Sequence, residues 1–159
     1  MASQQNPVED ARRIIDTNMY MVLATANKAG KPLATPVFYA YDGNNFFYFM
    51  SAAISEHAKN IMESCEASIC IFDSNQPMGH ALHVQAYCKA SALSMETDIK
   101  SAIETYCTKL FPKSATPATE RYNPSEYVEG SEFRFFRLSI IHAYTDGTDG
   151  KLEVRLGRS

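Results

Sequence analysis

The sequence predicts a mainly β fold: a small antiparallel barrel with two to three helices on its surface. Three observations carry that expectation. About seven runs rich in apolar, β-branched and aromatic residues fall at 19–26, 31–41, 46–50, 66–73, 81–93, 133–144 and 151–156. Most are joined by short polar turns of the kind that link antiparallel neighbours. Helical spacing is confined to 8–16, to a segment starting near Ser55, and to 95–111.

In chain order, residues 1–7 read as a loose tail, and 8–16 as a short helix with Val8, Ala11, Ile14 and Ile15 on one side. Asn27 to Gly30 supplies turn chemistry between the first two strands. Pro32 and Pro36 lie inside the second. Proline donates no ladder hydrogen bond, so that strand is an edge or faces something other than a neighbour. Asp42-Gly43-Asn44 marks a hairpin into the aromatic run 46–50, which reads as buried on both faces. The opening is thus expected to be a three-stranded meander. The helix at 95–111 is the clearest in the chain, with Met95, Ile99, Ala102, Ile103, Tyr106, Cys107, Leu110 and Phe111 at helical spacing and Pro112 ending it. Residues 113–132 form a polar connection, long for its kind. Neither a repeat nor a linker is evident, so 1–159 reads as a single domain.

Composition bounds the function. The chain has 159 residues, 45% hydrophobic and 21% charged, with a net charge of −3. That balance gives no pull toward nucleic acid or an anionic membrane surface, and no run is long enough to span a bilayer. The polar start lacks the apolar stretch of a signal peptide. Cys65, Cys70, Cys88 and Cys107 are scattered without a CxxC pair. The expectation is a reduced, cytoplasmic protein with no zinc site and no disulfide framework.

The stretch 45–61 holds the candidate site. Ser55 is a good helix N-cap, able to accept from the N–H of His57 or Ala58. Ile54, Ala58, Ile61, Met62 and Cys65 then follow as a core face. Hydroxyls at Ser51 and Ser55 near a helix start suit an anion. These residues alone leave two readings open, an anion site or an ordinary capped helix, and the second is commoner.

Taken together, the pieces resemble the pyridoxamine-phosphate-oxidase-like, FMN-binding split β-barrels. The resemblance rests on residues 24–38 (ATANKAGKPLATPVF), 47–51 (FYFMS), 55–61 (SEHAKNI), 67–74 (ASICIFDS) and 83–88 (HVQAYC), in that order. It implies a homodimer with FMN in each of two clefts between subunits. The cofactor-binding residues it implies are Thr35, Pro36, Val37, Met50, Ser51, Ser55 and His57. Backbone groups of the first three would lie along the isoalloxazine edge, Ser51 near the ribityl phosphate, and Ser55 and His57 where the family has Ser and a basic residue contacting that phosphate. Three features set the chain apart from the vitamin B6 oxidase itself. Glu56 stands where many members have Arg, Thr35 where the true oxidases have Arg, and there is no Trp.

The function implied is an FMN-dependent oxidoreductase acting on a small-molecule redox substrate, with no side chain named as acid or base. The alternative is a non-catalytic module that stores or senses a flavin or another cofactor, since relatives with this barrel also take a deazaflavin or heme. Other constellations carry less. His80 and His83 are three apart, which on a strand points them to opposite faces, although the resemblance puts His80 and Ala81 near a partner's flavin. Cys65 and Cys70 have no neighbouring base to make either a nucleophile. Arg134 and Arg137 either face the cleft or, more commonly for such residues, form a solvated face.

Overall fold

The computed structural model describes residues 6–79, 82–147 and 150–157. The expected barrel is present as one curled antiparallel sheet. Its strands are β1 (Tyr20–Ala26), β2 (Pro32–Phe38), β3 (Ala40–Tyr41), β4 (Phe46–Ala52), β5 (Glu66–Phe72), β6 (His83–Ala92), β7 (Phe133–Gly147) and β8 (Gly150–Val154). The helices are α1 (Pro7–Thr17), α2 (Glu56–Ser64), α3 (Glu96–Leu110) and the single turn α4 (Ala118–Arg121). Strand order across the sheet is β2-β1-β5-β6-β7-β4-β3, with β8 added on β7.

Local chemistry sets the element ends. Asn6 accepts from the N–H groups of Val8 and Glu9 and Pro7 opens α1, so the helix starts one residue inside the expected tail. Asn27 Oδ1 accepts from Ala29 and Lys31, each at 3.0 Å, and closes the β1–β2 turn. Asp42 Oδ1 takes three backbone N–H groups, from Asn44, Asn45 and Phe46, and fixes the β3–β4 hairpin.

The expected meander is not formed. The run 31–41 breaks at Tyr39, and β3 and β4 lie at the opposite end of the sheet from β1 and β2. Tyr39 is wholly buried and its hydroxyl donates to the Ile15 carbonyl at 2.6 Å, which pins the crossing point. β4 pairs with β7 instead, from Phe46 opposite Ser139 to Ala52 opposite Phe133. The curl brings β2 and β4 together without a ladder between them, which is the split in the barrel. β2 is an edge strand, as Pro32 and Pro36 require.

Alternation along β4 divides the core in two. Phe47 and Phe49 point into the barrel, where Phe49 stacks on Phe136 at 5.0 Å between ring centroids. Tyr48 points outward under Ile99, Ile103 and Tyr106 of α3. The aromatic strand is therefore buried on both faces, as expected. The segment 113–132 is more than a polar connection. Tyr122 and Tyr127 fold back so that their rings meet Phe135, the latter at 5.0 Å.

The expected core face of α2 is only partly formed. Ala58 and Ile61 are buried, but Ile54 and Met62 are exposed, and so is Cys65. Ile54 precedes the N-cap, and Cys65 ends the helix in the left-handed region at φ 57°, outside the inward stripe. Arg134 forms no solvated face either. It is 5% exposed, with Nη2 donating to the Leu93 carbonyl at 2.7 Å and to Ser94 Oγ at 3.2 Å. Arg137 lies over Phe46 and reaches Asp98 of α3 at 3.8 Å.

Candidate functional site

The end of β4 delivers Ser51 to the start of α2. Ser55 caps that helix, accepting the Ala58 N–H at 3.4 Å. His57 turns back over the cap. Its Nε2 lies 2.8 Å from Ser51 Oγ and 3.2 Å from Ser55 Oγ, and the two hydroxyls are 3.2 Å apart. The three residues that the sequence reading grouped at the helix start thus form one contiguous polar cluster.

Burial against Phe49 and the barrel pushes the His57 imidazole below its ordinary pKa, so the ring is neutral at neutral pH. A base depressed by folding takes up protons more readily when unfolded. Its contribution to stability is complete above about pH 6.5 and is lost as pH falls. His57→Gln is expected to flatten the acid side of the stability curve, read as urea midpoints between pH 8 and pH 5. An unchanged acid limb would mean that His57 does not titrate there.

The neighbouring carboxylate is turned away. Glu56 Oε1 lies 4.0 Å from Lys31 Nζ in the β1–β2 turn, with both side chains largely exposed. Behind the cluster, Asn60 is 3% exposed and donates through Nδ2 to Thr25 Oγ1 at 3.1 Å, tying α2 to β1. Neither this pair nor the Lys31–Glu56 contact has a local sequence signal. Each joins residues distant in the chain.

The remaining expected site residues lie across the split. On β2, Thr35 and Val37 sit opposite Leu23 and Met21, whose side chains fill the barrel, while Pro36 is exposed on the other face. Met50 packs on the α3 side, so its side chain leaves the cluster and only its backbone stays near. Of the two histidines considered as ligands, His80 lies outside the described residues, as does Ala81, and His83 pairs with Asp146 at 2.7 Å. Among the described residues no group of three or more His, Cys, Asp or Glu is placed to hold a metal ion. No helix among them is long and apolar enough to cross a membrane.

Two further features sit elsewhere. On the outer sheet face Tyr20, Phe72, Tyr87 and Ile141 are exposed, and Tyr87 and Ile141 line a cavity of about 550 Å³ with Ala67, Cys88 and His142. A second cavity of about 450 Å³ lies among α1, the β3–β4 turn and α3.

The family model described as pyridoxamine 5'-phosphate oxidase matches residues 8–139. No curated protein matches by sequence search. Among solved structures, a heme binding protein from Mycobacterium smegmatis superposes with a TM-score of 0.71 at 19% identity, over 97% of this chain and 60% of that one. This chain therefore spans about three fifths of that protein's length. The heme storage protein HutZ from Vibrio cholerae gives 0.60 at 14% identity, over 81% and 86% of the two chains. A putative pyridoxamine 5'-phosphate oxidase from Listeria innocua gives 0.62 at 13%, over 88% and 98%.

Proposed function

From a chain that belongs to the pyridoxamine 5'-phosphate oxidase family, we propose an FMN-binding, oxidoreductase-like protein that works as a homodimer. The observation that supports it best is the convergence of Ser51, Ser55 and His57 on the first turn of α2. The donor set suits a phosphate. Two hydroxyls and an imidazole able to take up a proton meet at the start of a nine-residue helix, and the adjacent carboxylate is drawn off to Lys31.

When bound, the flavin supplies hydride transfer at its N5. The residues of this chain bind and orient it. Ser51 and Ser55 would donate to the phosphate, and a dianion nearby would favour the proton on His57, against the effect of burial. Backbone groups of Thr35, Pro36 and Val37 on the edge strand β2 would meet the polar rim of the ring. The resemblance to the family implies a cleft completed by a second subunit. The exposed apolar outer face of β1, β5 and β6 is the surface for that contact. The run 46–50 is not part of it, since α3 covers it.

The test is the visible spectrum of the purified protein before and after FMN, with sedimentation at micromolar concentration. Flavin bands that stay with a dimer support the proposal, and NADH or NADPH oxidation by the loaded protein separates enzyme from binder. A monomer with no concentration dependence and no flavin bands rejects it. One observation favours a heme-binding reading instead. His142 Nδ1 is held by Glu153 at 2.7 Å, as a ligating imidazole is held by a carboxylate, and it lines the 550 Å³ cavity. A Soret band lost in His142→Ala would establish that alternative.

A further inference from the structure

The cavity among α1, the β3–β4 turn and α3 shares no residue with the cluster at α2. It is lined by Ile15, Asp16, Tyr41, Asp42, Thr105 and Lys109, among others. Lys109 gives it chemistry. Its Nζ lies 3.4 Å from the centroid of the Tyr39 ring and donates to the Asn18 carbonyl at 2.6 Å. Among the described residues no carboxylate comes within 4.0 Å of it. A half-buried ammonium that rests on a ring and a carbonyl, with no ion pair, is costly to keep charged.

We propose that Lys109 is a carbonyl-reactive amine, and that the cavity beside it takes a small uncharged aldehyde and holds it as an imine. The free amine attacks the carbonyl carbon to give a carbinolamine. A proton taken up from solvent then lets the carbinolamine hydroxyl leave as water, and the nitrogen keeps its remaining hydrogen as an iminium. That product preserves what holds the lysine now. Its remaining N–H still donates to Asn18, and its positive charge stays over the Tyr39 ring. An acylated lysine would lose the charge, and a carbamate would put an anion beside Asp16 and Asp42. The same two carboxylates disfavour anionic aldehydes.

The groups facing Nζ set its protonation. Tyr39 and the packing around it remove water, which lowers the pKa to about 8, while Asp16 at the end of α1 works in the opposite direction. Tyr41 and Asp42 line the hairpin side of the cavity, and Thr105 and Thr108 the side of α3. Compared with an ordinary lysine near pH 7.5, roughly a few hundredfold more of the side chain is free amine. The lower basicity takes back part of that gain, and about tenfold in rate remains.

The experiment treats the folded full-length chain with propionaldehyde and cyanoborohydride at pH 7.5 and follows labelling of each lysine by peptide mass spectrometry. Exposed Lys100 and Lys113 serve as internal references. Lys109 is expected to be labelled about tenfold faster than either. Its rate should level off above about pH 8, while theirs keep rising. Glyoxylate, an anionic aldehyde, should lag at Lys109 only, and Asp16→Asn should move the levelling point to lower pH. Labelling of Lys109 at or below the reference rate, or only after denaturation, would overturn the proposal and leave Lys109 as a tether between α3 and α1. Equal rates for the two aldehydes at Lys109 would overturn the preference for uncharged carbonyls. None of these readouts involves flavin.

Discussion

Phe49→Ala should remove a large part of the protein's stability. Phe49 is wholly buried, stacks on Phe136 with their planes within 10°, and packs against the His57 ring at 6.1 Å between centroids. Truncating such a ring removes its transfer energy and leaves a cavity that the surrounding packed core fills only in part. The cost is about 3–5 kcal/mol, against a total stability on the order of 5–15 kcal/mol for a domain. Urea unfolding of the two proteins measures it. A loss below about 1 kcal/mol would mean that Phe136 moves into the vacated space and that the stack is not the keystone of the barrel. Ile54→Ala, at a position 76% exposed, is the matched control and should change stability by less than about 0.5 kcal/mol in the monomer.

The second large effect separates a phosphate site from a plain helix cap. Replacing Ser51 and Ser55 together by Ala should weaken FMN binding on the order of a hundredfold and leave riboflavin nearly unchanged. Hydrogen bonds to a charged group are each worth about 1.5–3 kcal/mol, and 1.4 kcal/mol is about tenfold in affinity. Because Ser55 also caps α2, Ser55→Asp is the necessary companion. It preserves the cap and suits the helix dipole, yet its charge faces the phosphate. It should abolish the preference for FMN over riboflavin while the fold stays intact. Glu56→Arg should act in the opposite direction, tightening FMN, with a gain that shrinks as salt rises. Titration by flavin fluorescence reads all three variants. Equal changes for FMN and riboflavin would place the phosphate elsewhere.

Much of this arrangement was legible in the residues. The prolines at 32 and 36 announced an edge strand, the unbroken aromatic run at 46–50 announced burial on both faces, and Ser55 announced the helix start. These signals are local, and local chemistry decides them. What sequence reading missed is set by distant partners. The hairpin turn at Asp42 correctly predicted that β3 meets β4. Nothing within 31–41 said that Tyr39 would anchor on the Ile15 carbonyl and send the chain to the other end of the sheet. Arg134 looked like a surface arginine because its acceptors, Leu93 and Ser94, lie some forty residues earlier. Lys109 had a weak signal of its own. It follows Tyr106 by three residues at the margin of the apolar stripe, where a long side chain can lie along the core and still reach a carbonyl.

The placing of β4 between β3 and β7 also fixes when the site comes into being. β3 offers it only Ala40 and Tyr41, opposite Tyr48 and Phe47, so Met50 and Ser51 have no partner on that side. Their ladder partners, Phe135 and Arg134, lie on β7, which is made after α3 and the whole of segment 113–132. A ribosome that has completed α3 has already released Ser51, Ser55 and His57, but not the strand that holds the first of them in line with the others. Long-range pairing of this kind forms late. A ligand that reads all three side chains therefore meets its site only after β7 has been made and paired.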